Sequence, residues 1–521
     1  MNRVFTGAVL VSLLSLVGCG GSATGEAGGK VVLSASDKSG FKTGTGDEVH
    51  KEAAKSFDDA IKSFVAHDKA FDWSESTCKE VAAMFMKASD VQQSATSHSF
   101  PSALYNAGLS YQRCEMNNEA QQQFQAALSA DKNFHRAATQ LALYDYQKNG
   151  NLDSTIDKLN QIIRDAKFQN GDALVGVAAL QMERQSDSAD SDGKNDLERA
   201  VKNIQRALAI DDTFMPAFNQ LAIYYLEQAK AKSGKKSGRK AGLVVSGAAG
   251  KGVDQQMLDL AALVSAQGVA KNPKYASIYN TAGLIQVEQR NYNGAVKSFK
   301  KARELDPKFF EAHMNYGAVN LSFRGFKEAD AAYRDALKLK PNEYEAHLGL
   351  ALALRGAIDD SNFDKNVAES QAQLDQCKKL SPDRPEAYYN EAILTQEYRA
   401  KGSQEAAVPM LKKAAEEYRS FISKASGDQF AAAVKRAKER TQDIEDTIKF
   451  IEEGEAARKA DEEAQKAAAA QAKSNAPAAA TDAAPKGGDA NAAAAPPPPD
   501  DKGGGAAAPP PPPAAPPAKK K

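Results

Sequence analysis

The feature of this sequence that most narrows its folding options is self-similarity at a fixed interval. Gly283 recurs as Gly317, Ala295 as Ala329, Phe299 as Tyr333, Ala302 as Ala336 and Pro307 as Pro341, each step being 34 residues. A chain that repeats at such an interval is built from units that cannot bury an apolar face alone and do so by stacking. Each interval reads as two antiparallel helices. Small residues at Ala282, Gly283 and Ala295 let the pair approach closely, while Phe299 and Ala302 fill the seam to the next unit. Pro307 ends the second helix because it cannot continue one. Aromatics are only 7% of the residues, and Ala dominates the apolar set, which favours close-packed helices over sheets.

The interval and the residues at it resemble the tetratricopeptide repeat (TPR). The resemblance implies an all-α, TPR-type α-solenoid of about eight to nine helix pairs over 47–426. Other copies are weaker. Residues 101–134 keep Gly108, Tyr111, Ala120, Phe124 and Ala127; 136–169 keep little beyond Tyr146 and Gly150. A polar insertion at 186–195 interrupts 170–211, the loop 230–252 splits 212–275, and 344–384 carries extra residues around 357–364. Residues 385–425 form the last unit. A helical pair at about 48–67 and 74–90 caps the start.

Phe430, Val434, Ala437, Thr441, Ile444, Ile448 and Ile451 lie at spacings of four and three, one apolar stripe on a terminal helix assigned to 427–458. The stripe reads as a cover for the last repeat, with a short coiled coil as the alternative. From 459 to 521 the chain is Ala/Pro/Lys-rich and holds 13 of the 21 prolines, a composition that builds no core and is expected to be disordered.

Residues 1–18 have the parts of an export signal: Arg3, an apolar run too short to span a bilayer, and small residues at its end. Leu16-Val17-Gly18-Cys19 matches the lipobox of bacterial lipoproteins. That resemblance implies that Cys19 is acylated and becomes the mature N-terminus, an anchor in the cell envelope. Gly20 after it favours the outer membrane, facing the periplasm. Residues 19–46, rich in Gly, Ser, Thr and Ala, read as a flexible tether.

Several functional classes are disfavoured. With 67 Lys+Arg against 67 Asp+Glu the net charge is zero, which argues against a nucleic-acid partner. The six histidines stand singly, without metal-ligand spacing. His313 and His347 are one repeat apart and read as packing residues. Residues 247–252 (GAAGKG) have part of a phosphate-binding loop, yet Val245 replaces its first Gly and Gly252 its Ser/Thr. No enzyme, cofactor or small-molecule substrate is expected.

In TPR arrays the first helix of each unit lines a concave face. The positions that usually contact a peptide carry Tyr105, Leu109, Asn280, Leu284, Met314, Asn315, Leu348, Leu352, Tyr389 and Asn390. None is cationic, a departure from the chaperone-type TPRs that clamp a C-terminal carboxylate. The surface suits an apolar helix or extended segment of another envelope protein. Loop 230–252 holds seven Lys/Arg and no acid; it reads as solvated, or as a contact for an anionic surface. Cys78 and Cys114 fall near adjacent ends of antiparallel helices and are expected to form a disulfide in an oxidising compartment, whereas Cys377 replaces a packed Ala and should stay free.

Lipobox, TPR array and Ala/Pro/Lys-rich tail together resemble the TPR lipoproteins of the myxobacterial adventurous gliding-motility (Glt) envelope complex. The resemblance implies a scaffold in a motility machine. The alternative is an assembly factor, either a secretin pilotin or an outer-membrane protein assembly lipoprotein.

Overall fold

The computed structural model describes residues 48–70, 72–231, 253–401 and 404–474. Cys19, the signal segment, the tether, 232–252 and 475–521 lie outside the described residues.

The described chain is all-α: nine helix pairs and a terminal helix. The pairs are α1 (Lys51–Ala70) with α2 (Glu75–Thr96), α3 (Pro101–Gln112) with α4 (Asn117–Ala130), and α5 (His135–Asn149) with α6 (Leu152–Asp165). Then come α7 (Gly171–Arg184) with α8 (Asp196–Ile210), α9 (Met215–Ala231) with α10 (Gln255–Lys271), and α11 (Ala276–Glu288) with α12 (Tyr292–Leu305). Last are α13 (Phe310–Ser322) with α14 (Phe326–Leu339), α15 (Tyr344–Gly356) with α16 (Phe363–Leu380), and α17 (Glu386–Leu394) with α18 (Gln404–Lys424). The terminal helix α19 is Ala431–Ser474.

Local chemistry sets many of the boundaries. Ser74 opens α2 with a reciprocal capping box to Thr77, and Asn151, Asn170, Asn195, Asp254 and Asn291 cap later helices by accepting main-chain N–H bonds. Turns inside the pairs need a left-handed residue. Gly150 supplies it at φ 64°, whereas Glu115, Arg290 and Arg324 adopt it despite their side chains.

Within a pair, the closest approach is glycine against an aromatic ring. A Cβ at Gly108 would stand 2.5 Å from the Phe124 ring, and one at Gly283 would stand 2.5 Å from Phe299. Phe124 and Phe299 are fully buried, as are Ala120, Ala127, Ala295 and Ala302 around them. From α5 to α17, each first helix also touches the first helix of the next pair. These first helices therefore form one continuous inner layer. His313 and His347 each place Nε2 2.9 Å from the carbonyl of the Pro six residues before, the same packing role twice.

One boundary differs from the sequence reading. The stripe on α19 does pack on the last pair: Ala437, Ile444 and Ile448 are buried with Tyr418 and Phe421. The helix, however, continues past 458 to Ser474, because an Ala-, Glu- and Lys-rich run is a strong helix former even without a core to join. The insertion at 186–195 is a built loop. Arg199 crosses it, donating to the carbonyls of Ser188 (2.8 Å) and Gly193 (3.2 Å) and to Asp196 (2.6 Å). Burial opposes the charge of Asp196, but Arg184, Arg199 and the Ser186 amide outweigh it and hold the carboxyl below its ordinary range.

Cys78 of α2 and Cys114, just past α3, have Cα atoms 6.3 Å apart and Sγ atoms at bonding distance, 1.99 Å. Cys377 is free and buried, its thiol pushed up to about 12 by burial.

Gly283→Ala should lower stability by about 1–3 kcal/mol through overpacking. Gly176→Ala, whose Cβ would find its nearest neighbour at an ordinary 3.7 Å, should instead add roughly 0.5–1 kcal/mol. Urea titration of both variants checks this; equal effects would contradict the packing argument. Cys78→Ser with Cys114→Ser, opening a separation of 36 residues, should cost roughly 3–4 kcal/mol in the chain-entropy model. Peptide mapping of the oxidised chain should recover the two cysteines linked.

Candidate functional site

The ten residues assigned to a concave face divide into two groups. Tyr105, Asn280 and Met314 are buried, at 2%, 9% and 6% exposure, and do not offer a free surface. The Tyr105 ring lies 5.4 Å from both Phe124 and Phe134, with the Arg136 guanidinium 4.9 Å above it. Burial pushes its phenol up to about 12. Met314 sits in a cluster with Phe310, Ala346 and Leu350. Asn280 accepts a 2.9 Å bond from Asn315 Nδ2, a rung between α11 and α13. In each case the next first helix covers the side chain.

Leu109, Leu284, Asn315, Leu348, Leu352, Tyr389 and Asn390 are partly exposed. Apart from Leu109 they all lie on α11, α13, α15 and α17. The inner layer is closed between these two regions. Every residue of α7 from Gly171 to Met182 is buried, on all sides of the helix. Gln220 of α9 donates to Met182 Sδ (3.0 Å), and Thr281 of α11 donates to Asn219 of α9 (2.7 Å). Small side chains at Ala173, Gly176, Ala178 and Ala179 allow this approach. A continuous groove is thus replaced by one open stretch over the C-terminal first helices.

The charged residues at the start of those helices are spoken for. Lys340 lies 3.7 Å from Glu311 and 3.9 Å above the Phe310 ring. Arg384 pairs with Glu345 (2.7 Å) and Glu386 (2.9 Å), and its guanidinium covers the Tyr344 ring at 3.7 Å. Burial raises the carboxyls of Glu311 and Glu345 above the usual range. These cations brace neighbouring units and are not free to form a clamp.

One basic residue on the open stretch was missed in the sequence. Arg355 lies one turn beyond Leu352 on α15, and its NH1 donates to the Asn390 carbonyl (3.2 Å) and to Asn390 Oδ1 (3.1 Å). It falls outside the usual peptide-contacting positions, so register alone did not point to it.

A separate open cleft of about 590 Å³ lies where the α12–α13 turn meets the first two pairs, lined by Glu75, Glu115, Glu119, Met116 and Lys308. Lys308 Nζ reaches the Trp73 carbonyl at 3.2 Å across it. Among the described residues no group of three or more His, Cys, Asp or Glu is arranged to hold a metal ion. No described helix is long and apolar enough to cross a membrane.

Comparison with known proteins places the repeat. The family model for the tetratricopeptide repeat matches residues 101–134 and 276–309, the α3–α4 and α11–α12 units. Solved structures similar to this chain include a tetratricopeptide repeat protein from Parabacteroides merdae, with 14% identity over 59% of this chain and 98% of that one, TM-score 0.33. A thermophilic TPR protein of Thermus thermophilus shows 19% identity over 42% and 99%, TM-score 0.33. Pseudomonas aeruginosa pilF shows 16% identity over 49% and 97%, TM-score 0.33. No curated relative matches the sequence. Two units of this array of helix pairs thus match the tetratricopeptide repeat, and a fold of this kind is a scaffold for protein–protein interaction.

Proposed function

We infer that this protein is an envelope-anchored lipoprotein scaffold, held by an acylated Cys19, which presents the open inner surface of α11–α17 to other envelope proteins. It has no catalytic role in this reading. The observation that supports it best is the run of partly exposed Leu284, Asn315, Leu348, Leu352 and Tyr389 on consecutive first helices. Its side chains are mostly apolar, with the amide of Asn315 among them, a surface suited to an apolar segment of another protein. The lipobox Leu16-Val17-Gly18-Cys19 supports the anchor, and a bacterial outer-membrane lipoprotein facing the periplasm accommodates both. The resemblance in layout to gliding-motility lipoproteins supports a place in such a machine.

Cys19→Ser should move the protein from the membrane pellet to the soluble periplasmic fraction, since the acyl chains supply most of the membrane affinity. A variant that still pellets at high salt would contradict the anchor. Deleting the gene should stop single-cell gliding while outer-membrane protein levels and pili stay normal. Loss of those proteins or of pili instead would assign the chain to envelope assembly.

A further inference from the structure

Arg355 differs from most arginines that occupy seams between pairs, although Arg399 likewise bonds an amide, Gln371, at 2.8 Å. Arg113 pairs with Asp68 (2.8 Å), Arg136 with Asp172 (3.2 Å), Arg303 with Asp335 (2.8 Å) and Arg384 with Glu345 (2.7 Å). Arg355 reaches no carboxylate among the described residues; its acceptors are the two oxygens of Asn390, and both bonds use NH1. Nε and NH2 keep their donors. The acid that acts most on its charge, Glu397, is not in contact with it and is held by Arg440 at 2.8 Å. Burial works against the charge of Arg355 and lowers its pKa. A partly buried guanidinium without a counter-ion is an expensive arrangement, and a charge-assisted pair would relieve it.

Its neighbours show what would arrive with that counter-ion. Leu348, Leu352 and Arg355 stand at intervals of four and three on α15, one stripe along one face. Leu348 and Leu352 are partly exposed, Leu348 also packing on the cluster of Leu374 and Leu394, so the stripe presents an apolar edge that ends in the guanidinium. Beside it α17 widens into a π turn at Thr395–Arg399, closed by an Ala400 N–H to Thr395 carbonyl bond of 2.9 Å. Single π turns of this kind recur at functional sites.

We propose that Arg355 is the specificity anchor of this surface, receiving the carboxylate of an Asp or Glu side chain in a partner segment whose apolar side chains lie on Leu348 and Leu352. The partner is therefore an acidic-apolar peptide segment. This rests on the reading of the surface given above, and the test separates the two. Random peptides displayed on phage are selected against the full chain carrying Cys19→Ser. One enriched peptide is synthesised with its acidic residue intact and as the amide. Enriched sequences should carry an Asp or Glu next to paired apolar residues. Arg355→Gln, or the change to amide in the peptide, should each weaken binding roughly 10–100-fold, the range of a charge-assisted hydrogen bond. The two changes together should cost no more than either alone. Arg355→Lys, which keeps the charge, should restore part of the affinity and guards against a folding artefact. If Leu352→Glu abolishes binding while Arg355→Gln leaves Kd within twofold, the surface stands and the anchor is wrong. If neither variant shifts Kd, or no peptide is enriched, both readings fall.

Discussion

Everything in this molecule depends on how closely two helices of a pair can approach. At Gly108 and Gly283 the helix backbone rests against the ring of Phe124 or Phe299, with no room for a Cβ. That contact sets the separation within the pair. It thereby sets where the next first helix lands, and so which side chains face inward. Because each pair is incomplete without its neighbour, the separation is copied along the array. One pair shows the same device with a different ring: Tyr333 of α14 packs against Gly317 of α13, and also against Gly349 of α15 in the next pair.

The period, the pairing and the capping helices were legible because each depends on local chemistry: small residues at the crossing, Asn or Ser at helix starts, Pro after helix ends. The apolar stripe from Phe430 to Ile451 was legible for the same reason. What escaped was set between units. Tyr105, Asn280 and Met314 occupy contact positions in the repeat, yet the next first helix covers them, and the repeat register carries no information about that curvature. A clue was present in Gly171–Met182, where apolar and small residues surround the whole helix; such a helix is buried on every side. The terminal helix runs past 458 because Ala, Glu and Lys favour helix irrespective of a core, which an apolar stripe does not report. Arg355 escaped because its significance is a missing partner, which only coordinates reveal.

The electrostatics follow the same division. Several partly buried ion pairs bridge successive units, as Arg136–Asp172, Arg303–Asp335 and Arg384–Glu345 do. Removing one partner from such a pair leaves a buried charge, so these residues are bound to structure and unavailable to a ligand. The closed middle of the inner layer is likewise committed to packing. What stays partly exposed over α11–α17 is Leu284, Asn315, Leu348, Leu352, Tyr389 and Asn390, the surface proposed for recognition.

The central claim is that this stretch, and no outer face, meets the partner. A photo-crosslinking amino acid placed in living cells at Leu352, and separately at Leu263 on the outer helix α10 where the side chain is 55% exposed, tests it most directly. The account predicts a discrete, size-shifted adduct from position 352 and none from 263. Adducts at 263 with none at 352 would contradict it.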